Sequence, residues 1–346
     1  MKRDFQARGL ASALAPVAVA WCVACSGSVP QSITDNAAPS QTGSGGATGG
    51  SSSSDDASAG SSSSGTSASD DGGGSSLAAG DAGVTGTGSG SRSDAGALSR
   101  KRGIAYGDNT KADLAALSAG IGWWYNWSAS PDATLGTTDY AALGVEFVPM
   151  IWGGSFNTTT LATQVPAGAK YLLTFNEPNF GAQSNLTPAQ AAALWPQIEA
   201  FATAHDLKIV SPALNYCGGS CNETNPFTWL DDFFAACTGC RVDYVAAHWY
   251  ACSTSALTGY LGEYETKYTQ PIWLTEFSCL DGSLAATDAN EAQYMTEALA
   301  VLEADPRIFR YSWFTGRSTG SPAISVLGAD AGTLTALGQS YVTLPQ

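Results

Sequence analysis

The sequence predicts an α/β protein: a compact (β/α)8 TIM barrel over residues 101–346, with some helices short or missing. Three observations carry this. Nine of the ten Trp lie after residue 100, so the material for a core is concentrated there. The length of that part is typical of a single eight-stranded barrel. Eight short apolar runs also alternate through it with helical or turn-rich stretches.

In order, the expected strands are "GIAYG" (103–107), "GWWYNW" (122–127), "EFVPMIW" (146–152), "YLLTFN" (171–176), "KIVSPALN" (208–215), "DYVAAHWY" (243–250), "PIWLTEF" (271–277) and "FRYSWFT" (309–315). Between them, "TPAQAAALWPQIEAFATAHD" opens with a Thr cap and a first-turn Pro, and "TDANEAQYMTEALAVLEAD" is rich in helix formers. The first crossover has only about 14 residues, so its helix is short or absent. A Rossmann-like sheet would need a glycine-rich turn after the first strand, and "YGDNTK" does not supply one.

Ahead of the barrel, residues 1–25 read as an export signal: a basic start, an apolar stretch and small residues before Cys25. "CVAC" followed by Ser resembles a bacterial lipobox with Cys25 as the lipidated residue. Cys22 stands where Leu is usual, and cleavage nearby without lipidation is the alternative. Residues 26–100 contain no Trp, Tyr, Phe or Cys and are dominated by Ser, Gly, Ala and Asp. Such a segment cannot bury enough apolar surface to offset its ordering entropy and is expected to be a disordered linker, with a reach of roughly 50 Å.

After residue 100 there are 22 Asp and Glu against 10 Lys and Arg, a net of −12. That balance disfavours nucleic acid and anionic membrane surfaces and suits a neutral partner. Six Cys remain after the signal, an even number in an exported domain, so disulfides are expected. "CTGC" could suggest a zinc or redox site, but the domain has two His and no second matching Cys pair. No metal is expected. Cys252 and Cys279 follow neighbouring strands and can meet. The helix "PFTWLDDFFAA" separates the other two pairs by roughly 15 Å, too far for a bridge between them. The expected pairs are Cys217–Cys221, Cys237–Cys240 and Cys252–Cys279.

The C-terminal strand ends of such a barrel carry the active site. They gather Tyr106, Asn126, Trp127, Trp152, Asn176, Glu177, Asn215, His248, Trp249, Tyr250, Glu276 and Trp313. Aromatic rings stack on the apolar faces of sugars, while amides and acids bind hydroxyls. Glu177 and Glu276 end the fourth and seventh strands, which face each other across eight. Glycoside hydrolysis needs one carboxylic acid for the leaving oxygen and one carboxylate to attack or to activate water. Strand alternation puts His248 and Tyr250 on one side of the sixth strand and Trp249 on the other. Trp123, Trp195, Trp229 and Trp273 read as core, and His205 as surface.

Asn-Glu-Pro after the fourth strand and "LTEF" in the seventh resemble the signatures of clan A retaining glycoside hydrolases. "FNEPN", "SPALN", "AAHWY" and "LTEFSC" together resemble glycoside hydrolase family 128, a group of β-1,3-glucanases related to the fungal alkali-sensitive-linkage protein. This resemblance implies Glu177 as acid/base, Glu276 as nucleophile and Asn176 on the sugar 2-hydroxyl. It also implies Tyr250 as a hydrogen-bond donor to the nucleophile and Trp313 as the floor of the sugar subsite. The expected protein is a secreted, lipid-anchored, monomeric retaining endo-β-1,3-glucanase. It needs no cofactor, takes β-1,3-glucan polysaccharide or oligosaccharide, and touches the membrane only through its anchor. An exo-acting or other-linkage clan A enzyme and a non-hydrolytic glucan-binding protein remain as alternatives.

Overall fold

The structure, a computed structural model, describes residues 101–346. The expected export signal, with Cys22 and Cys25, and the 26–100 segment lie outside the described residues. The chain runs β1 (Arg102–Ala105), α1 (Lys111–Leu117), β2 (Trp123–Tyr125), α2 (Thr137–Ala141), β3 (Glu146–Phe147), β4 (Met150–Ile151), α3 (Thr158–Gln164), β5 (Tyr171–Asn176), α4 (Pro188–Ala204), β6 (Lys208–Leu214), α5 (Pro226–Ala236), β7 (Tyr244–Trp249), α6 (Thr254–Lys267), β8 (Ile272–Phe277), α7 (Asp288–Ala304), β9 (Ile308–Phe314) and α8 (Ala336–Thr343).

All strand pairs are parallel, in the order β3-β2-β1-β9-β8-β7-β6-β5-β4. The two ends of that order, β3 and β4, are consecutive in the chain and separated by Val148 and Pro149 alone. The expected third strand is therefore present but changes partner midway. Val148 donates to the Trp124 carbonyl on β2, and the Pro149 carbonyl accepts from Leu173 on β5. Pro149 has no N–H to continue the first ladder, which is why the break falls there. This junction closes the sheet into an eight-stranded barrel.

The short helices are α1, α2 and α3, with seven, five and seven residues. The longer α4 begins where its cap predicts. Thr187 accepts from the Gln190 backbone, Gln190 answers to the Thr187 backbone, and Pro188 takes the first turn.

Two apolar layers result. The outer one lies between sheet and helices and includes Trp124, Trp195, Trp229, Trp249, Tyr311 and Trp313. The inner one fills the pore and includes Trp123, Tyr125, Met150, Leu173 and Trp273. Trp123, Trp195, Trp229 and Trp273 are fully buried, and His205 is exposed. In the pore, Arg310 reaches Glu146 at 2.6 Å and faces the rings of Tyr171, Trp273, Trp123 and Phe309. The three expected disulfides form: Cys217–Cys221, Cys237–Cys240 and Cys252–Cys279. Among the described residues, no helix is long and apolar enough to cross a membrane.

Candidate active site

Strand β5 delivers its last residues into the mouth of the pore. The Asn176 N–H donates to the Trp152 carbonyl at 2.8 Å, and the Glu177 N–H to the Ala213 carbonyl at 2.9 Å. Both neighbouring strand ends thus hold this corner. Glu177 adopts φ +40°, and Pro178 after it cannot extend the ladder. Such a backbone is uncommon outside glycine and persists only where surrounding bonds fix it. Trp127 past the end of β2 is also left-handed, at φ +58°.

The two carboxylates meet over the pore, with an oxygen of each within 4.8 Å of the other and His248 between them. His248 Nδ1 lies 3.0 Å from Glu177 Oε1 and 3.3 Å from Glu276 Oε2. Donors converge on Glu276. Trp127 Nε1 gives to Oε1 at 2.7 Å, the Tyr125 hydroxyl to Oε1 at 2.9 Å, and the Tyr250 hydroxyl to Oε2. An ionised carboxylate accepts only, and this ring of donors is the surround it requires.

Glu177, His248 and Glu276 are all buried, at 2%, 0% and 4% exposure. Burial pushes the Glu177 carboxyl up. His248 opposes this by hydrogen bond and charge, the Glu276 charge adds to it, and the net shift is upward. For His248, burial favours the neutral ring, but the charge of Glu276 and the bond and charge of Glu177 outweigh it and raise its pKa. The same three side chains are the one group among the described residues with clustered metal-ligand atoms. With Tyr125, Trp127 and Tyr250 already on the lone pairs of Glu276, the cluster is organised by hydrogen bonds.

Asn176 lies beside Glu177 in the chain, buried, with Nδ2 donating to Gln183 Oε1 at 3.3 Å and Oδ1 buried without a partner. Beyond Trp127 a groove of about 670 Å³ runs past Met150, Trp152, Phe156, Gln164 and Ser184. Trp152 stands 41% exposed in it.

A family model described as glycosyl hydrolase catalytic core matches residues 103–341. A crystal structure of a family 128 (subgroup II) endo-β-1,3-glucanase from Sorangium cellulosum is 47% identical. Its TM-score is 0.68, and the match covers 71% of this chain and 99% of that one. The chain belongs to glycoside hydrolase family 128. Another family 128 structure is a subgroup I endo-β-1,3-glucanase variant from Amycolatopsis mediterranei in complex with laminarihexaose. It is 30% identical at TM-score 0.59, with 71% of this chain and 100% of that one covered. Alkali-sensitive linkage protein 1 of Schizosaccharomyces pombe is 29% identical over an alignment of 259 residues, with 71% of this chain covered. This chain spans 45% of the length of that relative.

In this family 128 hydrolase, the structure brings together Glu177, Glu276, His248, Tyr250 and Trp127, with Asn176 alongside and Trp152 on the rim. Two expected contacts, Trp313 and Trp249, are corrected by their placement, while Asn126, Asn215 and Tyr106 bond or pack within the chain. Trp313 points outward: it is fully buried, gives its Nε1 hydrogen to the Ile324 carbonyl and packs on Phe277, Tyr294 and Tyr341. Its neighbour Phe314 takes the inner side instead, with its ring against Trp127 and Tyr250. Trp249 also points outward, stacked on Tyr260 of α6. Asn126 spends its side chain on the following loop, bonding Ser130, Asp132 and the Ser128 N–H. Asn215 accepts from the Tyr216 N–H and so caps its own turn. Tyr106 packs its ring over Gly316, with Arg317 at its hydroxyl.

Tyr125, Gln183 and Phe314 went unread in the sequence. In "WWY" and "FRYSWF" aromatic residues occupy both faces of the strand, so alternation cannot say which face is the pore.

Proposed function

We propose that this hydrolase is a retaining endo-β-1,3-glucanase in which Glu276 is the nucleophile and Glu177 the acid/base. The observation that carries the reading is the spacing of the two carboxylates. Oxygens within 4.8 Å suit direct attack, where retaining enzymes use about 5–5.5 Å; inverting enzymes need about 6.5–9.5 Å to admit a water. The linkage follows from the family 128 relatives, named as endo-β-1,3-glucanases.

Glu276 attacks the anomeric carbon as Glu177 gives its proton to the leaving glycosidic oxygen. Glu177, now ionised, takes a proton from water, whose oxygen displaces Glu276 from the face that the leaving group vacated. Net configuration is kept. Tyr125, Trp127 and Tyr250 hold the attacking carboxylate in line, and Asn176 binds the 2-hydroxyl. The raised proton affinity of Glu177 keeps the acid form available at the start of each cycle. The groove along Trp152 supports endo action, because it leaves room for a chain to continue past the cleavage point. Three disulfides support an oxidising destination, as an export signal and lipid anchor at residues 1–25 require.

Proton NMR of laminarin digests tests the reading. The β-anomer should appear first, in oligosaccharides of several lengths. Glu276→Gln should abolish turnover yet keep oligosaccharide binding. Initial α-anomer would overturn retention, glucose as sole early product would overturn endo action, and binding without turnover by the unaltered chain would favour a glucan-binding protein.

A further inference from the structure

The loop between β5 and α4 is anchored more heavily than a surface connection needs. Gly181 N–H donates to the Ser220 carbonyl at 2.7 Å, Asn222 N–H to the Asn179 carbonyl at 2.9 Å, and Asn222 Nδ2 to the Pro178 carbonyl at 2.7 Å. Phe180 pairs with Cys221 in an isolated antiparallel bridge. The Cys217–Cys221 disulfide therefore closes a small pedestal under this loop. On the other side, the loop grips Asn176 twice. Ser184 N–H donates to the Asn176 carbonyl at 3.2 Å, and Gln183 Oε1 accepts from Asn176 Nδ2 at 3.3 Å.

We infer that Gln183 is a positioning residue for the reaction: its carbonyl fixes which way round the Asn176 amide lies, and the disulfide pedestal holds Gln183 in place. A carboxamide is nearly symmetric in shape, so only its partners decide between its two orientations. With Gln183 kept as observed, turning Asn176 over would set its Oδ1 against Gln183 Oε1, two acceptors face to face. In the observed orientation Oδ1 is buried and unpaired, a costly state that a sugar hydroxyl relieves. The amide is thus preset for a ligand before one arrives. This inference rests on the glucanase reading of the site and on Asn176 meeting the 2-hydroxyl.

The test compares aryl β-laminaribioside with its analogue lacking the 2-hydroxyl on the ring to be attacked, using the full chain. Gln183→Met keeps the shape and removes the acceptor, while Gln183→Glu keeps an acceptor. Gln183→Met should lower kcat/KM about tenfold on the parent substrate and less than about twofold on the 2-deoxy analogue. Gln183→Glu should recover most of the loss at pH values where it is ionised. Replacing both Cys217 and Cys221 by Ser should give the same substrate-dependent pattern as Gln183→Met. Equal losses on both substrates, or none on either, would overturn the inference. Inactivity of the unaltered chain on the parent substrate would overturn the glucanase reading and this inference with it.

Discussion

At the residue scale, the site is three titratable groups in contact, and His248 is the one whose role the pH profile can isolate. Glu177 must be protonated to start the reaction, so activity falls as pH rises through its pKa. His248 pulls that pKa down by hydrogen bond and by charge, against the larger upward effect of burial. Removing the imidazole leaves burial and the Glu276 charge unopposed. His248→Gln should therefore move the alkaline limb of kcat/KM to higher pH, with a lower maximum because Glu177 loses its partner at 3.0 Å. An alkaline limb that stays in place, or moves down, would mean that another group sets it. The acids themselves were legible in the sequence because a strand, a Pro stop and a carboxylate are local signals. The donors around Glu276 were half legible: Tyr250 and Trp127 were read as site residues, but Tyr125 was hidden in an all-aromatic strand.

At the element scale, the N-terminus of α1 is tied to the loops after β9 through one buried carboxylate. Asp113 caps with Thr110, accepts the Gly332 N–H at 2.8 Å and receives Arg317 Nη1 and Nη2 at 3.1 and 2.6 Å. Burial alone would raise its pKa. The Arg317 guanidinium, the Gly332 N–H and Thr110 outweigh that and hold it down at about 2. A folded pKa below the unfolded value of about 3.9 gives stability that is present above pH 4 and lost as pH falls through about 2. The size is roughly 2–3 kcal/mol, at 1.36 kcal/mol per pKa unit. Asp113→Asn should lower the denaturant midpoint at neutral pH and flatten the stability change between pH 4 and pH 2. An unaltered acid dependence in that variant would show the carboxylate to be irrelevant there. The capping box "TKAD" was there to be read in the sequence. Its link to Arg317, 204 residues on, was not.

At the scale of the whole molecule, the three disulfides differ in what they hold. Two close sequence separations of four and three residues, while Cys252–Cys279 spans 27 and ties the segment after β7 to the segment after β8. Loop-closure entropy gives the long bridge about 3–4 kcal/mol, more than either short one. Replacing Cys252 and Cys279 together by Ser should therefore cost the most stability in guanidinium unfolding, with Cys237 and Cys240 costing the least. Equal losses for all three pairs would show that local packing, and not the length of chain closed, sets their value.

The barrel, its strand positions, the pairing of its cysteines and the two carboxylates over the pore are all readable from the order of residues. Each rests on local chemistry: apolar runs, turn residues, Pro stops and the distances that a helix imposes. Which aromatic side chains face the pore is settled in the folded sheet alone. Every strand of a closed barrel is buried on both sides, so the hydrophobic effect, which is non-directional, gives no sign of inside or outside. Trp313 and Phe314 are equally suited to either layer. Register shifts, such as those between Ala247 and His248 and between Leu274 and Phe277, also reset the alternation that a reader of sequence must assume. The pore is filled by whichever face the neighbouring strands leave to it, and that is settled by the whole sheet at once.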